Sequence, residues 1–172
     1  SVVLDSLLTQ LKTPSFAIAD DIKFVVGLVT YTDAHVQTDL NKVDAWSLEH
    51  HMPLSIEKSA VLHCGVHNPR HQYHLQSDLL KPTDTVRDLG ILRASSGGYD
   101  QHIAEVSTKA SRLSGAIMRA FRGSPASVSM LAFNIYVLPI LMYASPIWNP
   151  SCVRNKTMLE NVQRRFTKRL TA

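Results

Sequence analysis

The chain has 172 residues, of which 45% are hydrophobic and 19% charged, a globular composition that excludes wholesale disorder. Lysine and arginine number 18 and aspartate and glutamate 14, so the formal net charge is +4. The sign changes along the chain, since residues 1–100 carry 8 basic and 12 acidic side chains and residues 101–172 carry 10 basic and 2 acidic ones. This asymmetry favours nucleic acid or another polyanion as a partner.

Only two cysteines are present, Cys64 and Cys152, which is too few for a framework of several disulfides. We therefore expect a reducing, intracellular environment and no disulfide partner. No secretory signal pattern opens the chain. Because it begins at Ser1 rather than Met, and residues 2–8 already have a helical pattern, we expect a piece of a longer protein.

The first hundred residues mix helical and strand patterns. Helical spacing of apolar residues predicts helices over 2–12 and 38–50, the second with Thr38 as its N-cap. A polar loop containing Pro82 is expected between the last two strands. Short apolar runs predict five strands, at 16–18, 22–28, 59–65, 72–75 and 86–92.

The remaining residues have a helical pattern throughout. Amphipathic helices are predicted over 102–122 and 155–170, each with an apolar face and a basic face. Between them, 128–148 is predicted as a mostly buried helix with a kink near Pro139. Its apolar part approaches membrane-spanning length, but prolines interrupt it twice, so we expect no membrane partner. The expected fold class is α+β.

Two adjacent carboxylates, Asp20 and Asp21, lie between the apolar arms of a predicted hairpin. Neighbouring side chains in a strand point to opposite faces, whereas at a hairpin tip both can project from one end. Two like charges there are costly unless a cation compensates them, which favours a metal site. Such a pair is also common in ordinary turns, and that alternative stays open.

A resemblance to a known family rests on this acidic segment. The run Ala17-Ile18-Ala19-Asp20-Asp21-Ile22-Lys23-Phe24 resembles the aromatic-Ala-Asp-Asp hairpin of reverse transcriptases, above all those of non-LTR (LINE-like, jockey-type) retrotransposons. Leu54-Ser55-Ile56-Glu57-Lys58-Ser59 is similar to the lysine-bearing segment of the family. Val86-Arg87-Asp88-Leu89-Gly90-Ile91 is similar to its Leu-Gly turn near the primer grip.

Three later segments continue the resemblance in the same order. The start of the family's thumb helix is similar to His102-Ile103 and Lys109-Ala110. Its Tyr…Pro-x-Leu-x-Tyr-x-Ser-x-x-Trp run is matched by Tyr136, Pro139, Leu141, Tyr143, Ser145 and Trp148. Its basic helix is similar to 159–166. By this resemblance, residues 1–94 are a partial polymerase palm, with a β-hairpin and short antiparallel strands, and 95–172 an all-helical, basic thumb and connection.

The resemblance implies an RNA-directed DNA polymerase, a nucleotidyltransferase that uses two Mg²⁺ ions. Asp20 would bind catalytic Mg²⁺, Asp21 would support the same site, and Lys58 would lie near the leaving pyrophosphate. The partners would be an RNA template, a DNA primer and dNTP, in the nucleus or cytoplasm. Eight basic residues would contact nucleic acid: Lys109, Arg112, Arg119, Arg122, Arg164, Arg165, Lys168 and Arg169.

Two departures from the family pattern limit this expectation. Ile18 stands where the family has Tyr or Phe, and no upstream segment supplies the other catalytic aspartate or a Gly-x-Pro-Gln-Gly-like loop. We therefore expect weak or absent Mg²⁺ binding and no polymerisation by this chain alone. One alternative is a non-catalytic nucleic-acid-binding remnant of a mobile element. Another is an unrelated α+β interaction protein, in which Asp20-Asp21 is only a turn. The histidines of 63–74 have no recognised zinc spacing.

Overall fold

A computed structural model describes residues 2–19, 21–27 and 32–170, and the chain divides into two compact units. The N-terminal unit comprises 1–84 and the C-terminal unit 85–172. The division therefore falls ten residues before the one expected after residue 94. The difference arises because a hairpin over 85–94, expected with the first part, packs against the long helix that follows it.

The N-terminal unit mixes two helices with short strand pairs. In chain order the elements are α1 (Val2–Leu8), β1 (Ser15–Ile18), β2 (Asp21–Phe24), α2 (Asp33–Glu49), a 3₁₀ turn (Ile56–Lys58), β3 (Ala60–Leu62), β4 (His74–Leu75), β5 (Asp78–Leu79) and β6 (Lys81–Thr83). Strands β1 and β2 pair antiparallel, as do β4 and β5, whereas β3 and β6 pair parallel, which differs from the antiparallel strands expected here. Pro82, expected in a loop, lies in strand β6 opposite Val61.

Two apolar clusters form the core of this unit. One joins α1 and α2 beneath the β1–β2 hairpin and contains the buried side chains of Leu7, Val43 and Trp46. The other lies beneath β4 and includes Val36 and Leu75. Val36 explains why α2 begins at Asp33 rather than at the predicted residue 38, since the first turn of the helix is needed to cover the second cluster.

Asp39 of α2 has a buried carboxylate that binds the segment that follows α1. Its Oδ2 accepts hydrogen bonds from the backbone N–H groups of Lys12 and Thr13 at 2.8 and 2.7 Å. Its Oδ1 accepts one from Lys42 Nζ at 2.7 Å. Burial acts to raise the pKa of Asp39, but these hydrogen bonds together hold it below its ordinary value.

The C-terminal unit is a hairpin followed by helices. The predicted strand over 86–92 is wrong, because Leu89 and Gly90 adopt positive φ angles of 47° and 82° and turn the chain back. The elements are β7 (Thr85–Asp88), β8 (Ile91–Ala94), α3 (Asp100–Ala120), α4 (Ala126–Ala132), a π-helical turn (Phe133–Val137), α5 (Leu138–Met142), α6 (Ser145–Trp148) and α7 (Val153–Leu170). The α+β class is thus confirmed.

Helices α3 and α7 lie side by side and run in the same direction. Asn155, in the first turn of α7, donates a hydrogen bond to Asp100 at the start of α3. Near their other ends, Ile117 and Phe166 belong to one buried cluster. The segment between the two helices runs back from the end of α3 to the level of its start, and we call it the returning segment. Its Phe133 ring stacks on Phe166, with 4.4 Å between the ring centroids.

The returning segment differs from the predicted buried helix. Only a narrow face, including Ala132, Phe133 and Val137, is buried, whereas Leu131 is 61% and Ile135 54% exposed. A π-helical turn interrupts the helix and immediately precedes α5, which carries Pro139 near its start. Within the described residues, no helix combines the length and the apolar character that crossing a bilayer requires.

Candidate nucleic-acid interface

The acidic segment forms the predicted hairpin. Ser15 to Ile18 pair with Phe24 to Asp21 in order, so only Ala19 and Asp20 stand between the two strands. Asp21 is the first residue of β2, opposite Ile18, rather than part of the tip. Ala19 has a φ of 57°, in the left-handed region that non-glycine residues rarely adopt. Asp20 lies outside the described residues.

The two faces of this hairpin differ sharply. Ile22 and Phe24 point inward and pack against the cluster of α1 and α2. The outer face carries exposed Asp21, together with Phe16 at 57% and Ile18 at 51% exposure. These side chains are accessible to a ligand or partner as well as to water.

Lys58 lies at the end of the 3₁₀ turn, two residues before β3, as the sequence predicts. Its side chain is exposed, and its backbone N–H donates to the carbonyl oxygen of Ser55 at 3.2 Å. Lys58 makes no hydrogen bond or ion pair with Asp21. Within the described residues, no three His, Cys, Asp or Glu side chains are grouped as metal ligands.

The eight basic residues predicted to contact nucleic acid are all exposed, four on or next to α3 and four on α7. Few acids balance them. Glu105 is already held by Arg87, whose Nη2 lies 2.7 Å from its carboxylate. The C-terminal unit, residues 85–172, carries 12 basic and 4 acidic side chains, so its formal net charge is +8. The two helices therefore present a strongly positive surface.

The structure joins two motifs that are far apart in the sequence. Tyr143 Oη donates a hydrogen bond of 2.9 Å to the carbonyl oxygen of Leu89, in the turn of the β7–β8 hairpin. A Cβ atom added to Gly90 would lie 3.6 Å from the Tyr143 ring. Trp148 Nε1 in turn donates to the Tyr143 carbonyl oxygen at 2.8 Å. The aromatic residues of the Tyr-to-Trp run thus support the Leu-Gly turn.

His102 is a buried residue whose setting could not be read from the helical pattern. Its Nδ1 accepts a hydrogen bond from the backbone N–H of Leu92 at 3.3 Å, while its Nε2 has no hydrogen-bond partner. Burial lowers the pKa of His102; Glu105 acts to raise it and Arg87 to lower it. The imidazole is therefore held neutral. A polar residue on this face was no clear signal, because the buried face of α3 also contains Ser107 and Ser114.

The histidine-rich segment 63–74 forms a mostly exposed loop. Cys64 is an exposed free thiol, as is Cys152 in the other unit. His71 Nδ1 lies 3.5 Å from Asp33 Oδ2, so this histidine contacts the start of α2. Burial lowers the pKa of His63, and the nearby Arg70 lowers it further.

Comparison with known proteins gives one distant relative. No family model matches the chain. No solved structure matches it either. An uncharacterised protein of Caenorhabditis elegans is 29% identical over 85 residues, which are 49% of this chain and 43% of that protein. The match therefore spans less than half the length of the relative, and it assigns no family and no activity.

Proposed function

We propose that the chain is the C-terminal palm and thumb part of a reverse transcriptase of a non-LTR retrotransposon. In the intact parent, this enzyme would add deoxynucleotides to a DNA primer along an RNA template. The observation that carries the proposal is the hairpin of the Ala-Asp-Asp segment, whose outer face presents Asp21 beside exposed Phe16 and Ile18. A carboxylate on an exposed sheet face is accessible to a metal ion and a nucleic-acid end together.

The residues present fit a Mg²⁺ site in ligand type. Mg²⁺ is commonly held by one or two carboxylates together with substrate phosphates, and Asp20 and Asp21 would supply such carboxylates. The ions would activate the primer 3′-hydroxyl and offset charge on the attacked phosphate. Lys58 would neutralise charge on the leaving pyrophosphate. Because the family's upstream aspartate has no counterpart, the isolated chain would not polymerise.

The positive surface of α3 and α7 supports contact with nucleic acid. Packing of the basic faces against other helices would have favoured an unrelated interaction protein, but all eight side chains are exposed. The same surface also suits a second candidate, a nucleic-acid-binding remnant without catalysis. The two candidates differ in whether the acidic hairpin takes part in binding.

Fluorescence anisotropy with a labelled RNA template–DNA primer tests the proposal. We expect binding that weakens steeply with salt, since each neutralised phosphate contributes about −0.9 to the log–log slope for duplex DNA. Binding that is absent at low salt, or independent of salt, would contradict the nucleic-acid function. Asp20→Ala and Asp21→Ala would weaken the Mg²⁺-dependent part of binding in the enzyme fragment and leave a remnant unchanged. Primer extension above background by the purified chain would overturn its expected inactivity.

A further inference from the structure

A shallow groove runs between α3 and α7 where the two helices lie side by side. One wall comes from α3 and has small side chains, including Ser111 and Gly115. The other wall comes from α7 and carries Arg165 and Arg169, one helical turn apart. The apolar floor includes Phe166. The groove thus combines an open small-residue wall with a pair of guanidinium groups.

Within the described residues, neither Arg165 nor Arg169 forms an ion pair. Like charges four residues apart on a helix destabilise it, and an acidic neighbour would relieve the repulsion. The two acids of α3, Asp100 and Glu105, do not line the groove, and Glu105 is paired with Arg87 at 2.7 Å. An anion in the groove would provide the missing charge from outside the chain.

Gly115 keeps the groove open at a cost to the helix. Glycine is the least favourable residue inside a helix apart from proline. No close packing explains it here, since a Cβ atom at this position would meet only Arg119 Nη1, at 3.5 Å. The missing side chain lowers the α3 wall and leaves the Arg119 guanidinium lying against it. Arg119 itself does not line the groove.

Ser111 adds a polar group on the α3 wall. The hydroxyl of its neighbour Ser114 donates to the Ala110 carbonyl oxygen at 2.8 Å and is therefore engaged within the helix. The Ser111 hydroxyl, in contrast, is exposed and forms no side-chain hydrogen bond within the described part of the chain. A hydroxyl and two guanidinium groups that line one groove provide several donors, and the oxygens of a tetrahedral anion accept several donors at once.

We propose that this groove binds one phosphate group of a nucleic-acid strand, with Arg165 and Arg169 as its principal ligands. The inference rests on the proposed function and narrows it, because it separates these two arginines from the other basic residues. One guanidinium group can bind two phosphate oxygens at once and so fix the orientation of the phosphate, whereas a solvated surface cation contributes mainly its net charge. Lys109 and Arg164, which do not line the groove, belong to the second kind.

Two double variants with the same charge change test the site. Arg165→Gln with Arg169→Gln removes the groove pair, and Lys109→Gln with Arg164→Gln removes two exposed cations outside it. Binding of the labelled primer–template is measured by anisotropy at several salt concentrations. Inorganic phosphate is titrated separately while arginine side-chain N–H resonances are followed by NMR. Circular dichroism confirms that both variants keep the fold.

We expect the groove variant to bind the primer–template at least tenfold more weakly than the control variant and with a smaller salt slope. We also expect phosphate to shift the Arg165 and Arg169 resonances selectively. Equal weakening in both variants would overturn the groove site while leaving nucleic-acid binding intact. If phosphate shifted the Arg165 and Arg169 resonances selectively but the primer–template did not bind, the groove would be an anion site and the proposed nucleic-acid function would be wrong. If neither probe binds, both proposals fail.

Discussion

The indole ring of Trp148 meets the imidazole of His102 edge-on, with 5.3 Å between the ring centroids. Both side chains are buried, and the imidazole accepts the Leu92 N–H rather than donating to it. A protonated ring could not accept this hydrogen bond, and its charge would have no carboxylate in direct contact. Protonation therefore opposes the folded C-terminal unit.

The first prediction concerns pH. The pKa of His102 is lowered from 6.5 in the folded unit, so the unfolded chain binds more protons below that pH. We expect the free energy of unfolding of this unit to be at its full value above about pH 6.5 and to fall as the pH drops through the lower folded pKa. Amide hydrogen exchange in α3 measures it. His102→Asn should flatten this pH dependence, and an unchanged slope would contradict the assignment.

The second prediction concerns Asp39. Asp39→Ala leaves the Lys12 and Thr13 N–H groups unpaired, and we expect it to destabilise the N-terminal unit by about 3 kcal/mol. The same folded-state interactions lower the pKa of Asp39 from 3.8, so their contribution is present above that pH and lost in acid. Denaturant unfolding measures the change. Glu49→Ala, at an exposed position of the same helix, should cost less than about 0.5 kcal/mol.

The third prediction concerns two glycines that differ in backbone conformation, Gly115 and Gly123. Gly115→Ala should stabilise α3 by up to about 1 kcal/mol, because its backbone is helical and its space is open. Gly123→Ala should destabilise by about 1 kcal/mol, since Gly123 has a φ of +85°. Thermal unfolding of the two variants is compared. If Gly115→Ala were destabilising, the glycine would be needed for packing rather than for the groove.

The fourth prediction concerns the Tyr143 hydroxyl. Tyr143→Phe removes its hydrogen bond to Leu89 and should cost about 1 kcal/mol, with faster amide exchange in the β7–β8 turn. Tyr136→Phe is the matched control, because Tyr136 is 60% exposed and lies on the outer side of the returning segment. Equal effects of the two changes would show that the hydroxyl does not hold the turn.

Strong periodicity made some elements predictable. The spacing of apolar residues placed α3 and α7 within two residues of their true starts, and two apolar arms around an acidic pair gave the β1–β2 hairpin. The strand prediction over 86–92 followed the apolar run and passed over Gly90, although the family resemblance marks Leu89-Gly90 as a turn and both residues adopt positive φ angles. The returning segment was predicted as buried because it is rich in apolar residues, although two neighbouring helices cover only one side of it.

The candidate site was predictable residue by residue but not as a surface. Helical spacing separates basic from apolar positions, and the eight cations are exposed as that spacing indicates. Which cations share a groove depends on the direction and rotation of α7 against α3, and tertiary packing alone decides both. The pairing of Arg165 and Arg169 with Ser111 and Gly115 could therefore not be read from one helix at a time.

The hydrogen bond between Tyr143 and Leu89 also orders events during synthesis. Leu89 leaves the ribosome more than fifty residues before the tyrosine that binds its carbonyl oxygen. The strands can pair early, but the turn gains this hydrogen bond only after α3 and the returning segment have been translated and packed. A chain that ends before residue 143 would thus lack this hydrogen bond at the turn and keep the one from Arg87 Nη1 to the Gly90 carbonyl oxygen, 3.3 Å.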